Sequence, residues 1–264
     1  MSVSGFVERQ FFYPDAVQYA APGQFGLRSE DVWLHAPDGS KLHGWFLPAQ
    51  GAAKGTVLHL HGNAANISNH LPLVAWLPGE GYNVLLVDYR GFGRSQGQPS
   101  LDGVVDDAAA ALAYLRTRSD VDAGRLIVLG QSLGGATALR LLARDAAGVR
   151  LAIIDSAFAS YRQIAREAMM GSVVLVPAIP LVLPALPGDD KDPIVALKSV
   201  GVPLVFVHGT RDAVIGHDHS VQLHAAARAP KELWTVEGAD HMMVFGVSGP
   251  WRQRLVQAMD AAVR

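Results

Sequence analysis

At 264 residues the chain is too long for a disulfide-stapled mini-domain and long enough for one large α/β unit. Apolar residues make up 50% of it and charged residues 17%, which excludes global disorder, and a formal net charge of −2 removes the electrostatic case for a nucleic-acid partner. With no cysteine, disulfides, thiolate metal sites and a cysteine nucleophile are excluded as well.

The first 25 residues show no basic start followed by an apolar run, so no secretory signal is expected. Val32 to His35 and Lys41 to Leu47 flank the turn signal Pro37-Asp38-Gly39 and predict an antiparallel hairpin. Compact apolar runs follow at Thr56 to His61, Tyr82 to Asp88, Leu126 to Gly130, Leu151 to Asp155, Pro203 to His208 and Glu232 to Val236. Without clear alternation, such runs read as strands covered on both faces. Helical spacing is carried by Leu101 to Arg118 behind the N-cap Ser100, by Leu133 to Ala146, by Ser220 to Ala227 and by Trp251 to Val263. Strand alternating with helix predicts one α/β domain over 1–264, a mostly parallel sheet with helices on both faces and the hairpin at its N-terminal end.

Ala157 to Val200 interrupts this alternation and reads as a lid or cap insertion rather than a second domain. Within it, Ser172 to Pro187 is apolar but shorter than the roughly 20 residues a spanning helix needs. Pro177, Pro180, Pro184 and Pro187 would each break a helical ladder. A membrane span is therefore not expected, while peripheral contact with lipid stays open; the default location is cytoplasmic.

Gly-x-Ser-x-Gly occurs twice, around Ser132 and around Ser95. In a chain with 27 glycines the bare pattern says little, so context decides. Leu126 to Leu129 leads straight into Ser132 and an alanine-rich helix leads straight out, the sharp strand-to-helix turn that exposes a nucleophilic hydroxyl. Ser95 is followed by Gln98-Pro99 and reads as a turn serine. A serine needs a positioned base, and the base an orienting carboxylate, gathered where parallel strands end. Asp212 and His241 follow the last two strand candidates and complete the chain order Ser132, Asp212, His241. Asp155, at the end of the strand before the insertion, is the alternative acid, and Asp240 reads as a loop cap. His208 ends a buried strand and is expected to make a structural hydrogen bond.

Oxyanion donors are expected from the Leu133 amide and from the loop His61 to Asn66, where Gly62 permits a sharp turn and leaves the Asn63 amide as first choice, Ala64 beside it. His59-x-His61 and His217-Asp218-His219 look like metal ligands but lack a third partner, so no metal is assigned.

The motifs HGNAAN, DYRGFGRSQGQPS, GQSLGG, HGTRD and GADH, in that order, resemble the α/β-hydrolase superfamily. The resemblance is nearest to the serine hydrolases described as abhydrolase-domain, lysophospholipase-like or acyl-protein-thioesterase-like. Phe12 to Asp15 and His43-Gly44-Trp45 fit the same branch, and the likeness runs from about Phe11 onward. It implies the α/β-hydrolase fold, Ser132 as nucleophile, Asp212 as acid, His241 as base, and Asn63 and Leu133 as oxyanion donors. It implies no cofactor. The implied substrate is a small-molecule ester, thioester or lysolipid; peptide or carbon–carbon bond hydrolysis is the rival reaction, and a non-catalytic binding protein the rival outside enzymes. Two departures stand out: Ala65 where the family often has glycine, and Met242 to Phe245 where polar residues often follow the histidine. An apolar acyl group is expected against Met169 to Leu186, with Met242 and Met243 lining the wall. Oligomeric state is not legible.

Overall fold

The computed structural model describes residues 8–171, 179–182, 184, 186 and 188–264. Most of the apolar stretch Ser172 to Pro187 singled out in the sequence lies outside the described residues.

An eight-stranded sheet organises the molecule. Its strands are β2 (Glu30–His35), β3 (Lys41–Leu47), β4 (Gly55–Leu60), β6 (Tyr82–Val87), β7 (Leu126–Gln131), β8 (Val149–Asp155), β9 (Leu204–Gly209) and β10 (Lys231–Val236). They lie in the order β10-β9-β8-β7-β4-β6-β3-β2. β3 pairs antiparallel with both β2 and β6, and every other pairing in the sheet is parallel. The expected hairpin is thus present and hands over to a parallel sheet.

Along the central strands successive side chains enter opposite cores, as the two-residue period of a strand requires. Leu58, Leu85, Val87 and Val128 pack on one face with residues of α2 (Gly103–Thr117) and α3 (Leu133–Arg144). Val57, Val84, Leu86, Ile127 and Leu129 pack on the other with α1 (Ile67–Val74) and α8 (Pro250–Ala262). Burial on both faces is why these strands read as unbroken apolar runs.

Two features near the N-terminal half lie outside the expected elements, as do the helices between β8 and β9. One is α1, which tolerates Pro72 in its interior and is capped by Asn66, whose side chain accepts from the Ser68 amide at 2.9 Å. The other is a two-residue parallel pairing of β1 (Tyr13–Pro14) with β5 (Ala64–Ala65), laying the N-terminal segment along the loop after β4. Between β8 and β9 the described chain forms α4 (Tyr161–Met170) and the single turns α5 (Ile179–Val182) and α6 (Pro193–Ala196). The remaining helix, α7 (Asp218–Ala226), joins β9 to β10.

Candidate active site

Ser132 sits between β7 and α3 with φ 54° and ψ −119°, a left-handed conformation that costs a non-glycine residue energy and holds its side chain at the helix N-terminus. The surrounding glycines make this turn possible by close packing. A Cβ on Gly134 would overlap the Leu60 carbonyl, one on Gly130 would overlap the Gly134 carbonyl, and one on Gly135 would lie 2.7 Å from the Ala157 Cβ. The Ser132 amide donates to the Asp155 carbonyl at 2.8 Å, tying the turn to the end of β8. Ser95, the second motif serine, instead donates to the Asp88 carbonyl at 2.7 Å and accepts from the His43 amide at 2.9 Å, a turn held by its own hydroxyl.

The loops after β9 and β10 bring Asp212 and His241 together, with His241 Nδ1 2.7 Å from Asp212 Oδ2. The imidazole nitrogen donates there, which leaves Nε2 free to take a proton. Asp212 Oδ1 accepts the Val214 and Ile215 amides, each at 2.9 Å. Burial pushes the Asp212 carboxyl up, but hydrogen bonds from His208, His241 and the Ile215 amide outweigh it and hold the group well below the usual carboxylate range. Asp155, the alternative acid, is not bonded to His241. Its carboxylate accepts the Gln131 side-chain amide at 2.8 Å and the Ser156 hydroxyl at 3.0 Å. Asp240 lies at the surface, 3.4 Å from Arg211.

Ser132 and His241 reach the same rim through β8. The residue after Asp155, Ser156, accepts the Met242 amide at 3.1 Å, so the end of β8 carries both the Ser132 turn and the His241 loop. Among the described residues no hydrogen bond joins the Ser132 hydroxyl to the His241 imidazole. Contacts of this kind in unliganded enzymes are commonly long and tighten around substrate.

On the other side of Ser132, the Asn63 carbonyl accepts the Tyr13 amide at 2.8 Å and the Ala65 carbonyl accepts the Asp15 amide at 3.2 Å. Asn66 Nδ2 donates to Asp15 Oδ1 at 2.9 Å and to the Val17 carbonyl at 2.8 Å. The N-terminal segment therefore straps the loop that carries Asn63. The Leu133 amide opens α3, where the first N–H groups of a helix have no intrahelical partner.

Asn63, Ser132 and Leu133 line one cavity of about 570 Å³. Its walls are otherwise Phe158, Ile164, Ala165, Ala168 and Met169 around α4, Val182 and Leu186 further along the chain, Val214 and Ile215 beside Asp212, and Gln10, Phe11 and Tyr13 from the strap. No charged side chain lies among them. Met169 is where the sequence reading put it. Met242 and Met243 are not among the lining residues: the Met242 sulfur sits by Gly62, 3.6 Å from where a Cβ would project, and Met243 is about half exposed. The backbone at Met242 has a positive φ of 58°.

The histidine pairs have other partners. His59 Nε2 is 2.9 Å from Gln131 Oε1, and His61 Nδ1 is 2.7 Å from the Gly62 carbonyl. His217 Nε2 meets the Thr235 hydroxyl at 2.8 Å, and His219 Nε2 meets Glu167 Oε2 at 2.8 Å. Among the described residues no group of three or more His, Cys, Asp or Glu side chains is placed to hold a metal ion. No helix among them is long and apolar enough to cross a membrane.

A parallel sheet led by an antiparallel hairpin, with a serine turn, an acid and a histidine in this order along its edge, defines an α/β hydrolase. The chain belongs to the Hydrolase_4 family, described as serine aminopeptidase S33, which it matches over residues 51–197. Among relatives, it is 40% identical over 241 residues to the uncharacterized protein YfhR of Escherichia coli strain K12, covering 89% of this chain and 80% of that protein. It is 32% identical over 217 residues to the alpha/beta hydrolase domain-containing protein WAV2 of Arabidopsis thaliana, covering 79% and 70%. Among solved structures, an esterase of Pyrococcus furiosus, Pf2001, superimposes with a TM-score of 0.78 over 96% of this chain and 100% of that one, at 23% identity, a likeness of fold.

Proposed function

We propose that the protein is a serine hydrolase of carboxylic esters or thioesters that carry an apolar acyl group. The observation that carries this reading is the shared cavity: Ser132, in its strained turn, opens into a volume of about 570 Å³ walled by apolar side chains, beside the hydrogen-bonded pair of Asp212 and His241. Pockets of this size suit small molecules.

In the proposed reaction the acyl chain lies along Met169, Ile164 and Leu186, against α4. His241 Nε2 takes the Ser132 proton as the hydroxyl attacks the acyl carbon, and Asp212 holds the ring so that Nδ1 keeps its hydrogen. The Asn63 and Leu133 amides receive the oxyanion, each worth about 3 to 4 kcal/mol in comparable sites. The protonated His241 then gives its proton to the departing alcohol or thiol. A water deprotonated by His241 attacks the acyl-enzyme and frees the acid.

The family's description names aminopeptidases, whose substrates present a free ammonium group. The cavity wall described above offers that group no carboxylate, which favours the ester or thioester reading.

Turnover of p-nitrophenyl esters of increasing chain length tests the proposal, together with labelling by a fluorophosphonate. Ser132→Ala is expected to abolish labelling and to cut kcat by on the order of 10⁵ to 10⁶. Wild-type activity confined to amino-acid amides, or a variant that still turns over esters, would overturn it.

A further inference from the structure

His208 is the penultimate residue of β9 and is fully buried, with three polar neighbours. Its Nε2 lies 2.8 Å from the Ile215 carbonyl and 3.1 Å from Asp212 Oδ2, and its Nδ1 lies 2.6 Å from the Ser220 hydroxyl. A carbonyl only accepts, so Nε2 must carry hydrogen whichever charge the ring bears; that hydrogen bonds the Ile215 carbonyl, and the same N–H edge of the ring lies 3.1 Å from Asp212 Oδ2. Asp212 Oδ2 therefore faces two histidines, hydrogen-bonded to His241 at the rim and in close polar contact with the N–H edge of His208 beneath. With the two backbone amides on Oδ1, the carboxylate accepts three hydrogen bonds, and the His208 N–H edge lies against its remaining face.

We propose that His208 is a positioning residue for the acid–base pair: its Nε2–H fixes the orientation of the Asp212 carboxylate and draws charge from the oxygen that faces His241, while the Ser220 hydroxyl fixes the His208 ring. The inference rests on the serine-hydrolase reading of Ser132, Asp212 and His241. It assigns work to a side chain that touches neither substrate nor the reacting atoms. A carboxylate held by two amides on one oxygen and by a loop histidine on the other could still tilt about its side-chain bonds; a polar contact from the sheet itself removes that freedom before substrate arrives.

The groups that face His241 are Asp212 from the loop after β9, Asp155 from the end of β8 and His70 from α1, and those that face His208 are Asp212, Asp155 and His217. Removing the His208 donor leaves all the others in place and makes Oδ2 a stronger partner for the protonated His241 ring. The acid limb of kcat/KM, set by that ring in the free enzyme, then moves to higher pH.

The test uses the full chain, with active sites titrated by a fluorophosphonate so that rates refer to competent enzyme. In His208→Leu the acid limb is expected to rise by about half a pH unit or more and kcat to fall about tenfold, with KM for a p-nitrophenyl ester little changed. His208→Gln, whose side-chain amide can donate from nearly the same place, is expected to recover most of both. Ser220→Ala is expected to move both in the same direction by less, and it carries the test should His208→Leu fail to fold. A merely structural role, exerted through Ile215 in the cavity wall, would instead change KM and the fraction of titratable sites and leave the pH limb alone. Superimposable pH profiles in titrated His208→Leu or Ser220→Ala, or no recovery with glutamine, would overturn the inference while Ser132 still labels. Failure of the wild type to label at Ser132 would overturn the underlying reading, and the inference with it.

Discussion

On the acid–base side of Ser132, two loops are joined by side chains that converge on one buried carboxylate; on the side of Asn63, a loop is clamped by backbone and by a single amide side chain. Asp212 collects His241, His208 and two amides, whereas Asn63 and Ala65 are held through their carbonyls by Tyr13 and Asp15 of the strap. The first side depends on the protonation of the histidine and carboxylate that face the serine, whereas on the second side the titratable groups, Asp15, His61 and His70, brace the loop from behind and do not join that pair. The two sides should therefore fail differently when broken.

The sharpest break is Asp212→Asn. The proposed triad then loses the charge that holds His241 with its hydrogen on Nδ1, and kcat is expected to fall about 10⁴-fold with little change in KM. A loss under tenfold would mean that Asp155 or another group supports the ring. The matching break on the strap side is Asn66→Ala, which removes the cap of α1 and the bonds to Asp15 and Val17. We expect about 2 to 3 kcal/mol less stability by denaturant titration and a kcat reduced about ten- to a hundredfold, with an unaltered pH profile. A shifted profile would show that the two sides are not separable.

The acid–base side was largely legible in the sequence, because its three residues follow strands that announce themselves as apolar runs and because chain order constrains their roles. Ser132, Asp212 and His241 each stand at a strand end. The strap was not legible. Its partner strand is two residues long, and α1 holds Pro72, which argues against a helix when only spacing is available, although the Asn66 cap was a usable signal. Met242 and Met243 show a further limit: composition identified them as soft and apolar, but only the folded chain shows one beside Gly62 and the other half exposed. His208 makes the structural hydrogen bonds its place at the end of a buried strand predicts, to the Ile215 carbonyl and Ser220, but nothing in a sequence says that its ring also lies 3.1 Å from the Asp212 carboxylate.

Protonation separates the two sides in stability too. His59 is pushed down to about 3 and His70 to about 4, chiefly by burial, and His61 is also pushed well below its ordinary value. A histidine whose folded value lies below its unfolded one stabilises the fold fully above about pH 6.5, and that contribution is lost as pH falls toward the folded value. For His70 the loss amounts to about 3 kcal/mol by pH 4. His70→Gln is expected to flatten the decline of Tm between pH 6.5 and 4 relative to the wild type; an unchanged slope would place the acid sensitivity elsewhere.

The mildest perturbation probes the wall of the cavity and touches neither anchoring system. Met169 lines it from α4, half-buried, with no hydrogen-bonding duty to lose. Met169→Trp would fill part of the volume next to Ile164 and Leu186, so long acyl chains should lose about tenfold in kcat/KM while acetyl esters change less than about twofold. Fluorophosphonate labelling and the pH profile should stay as in the wild type, since Asp212, His241 and the strap are untouched. Equal losses on short and long esters would move the acyl chain out of this cavity, and the ester series would then have to be read against the opposite side of Ser132.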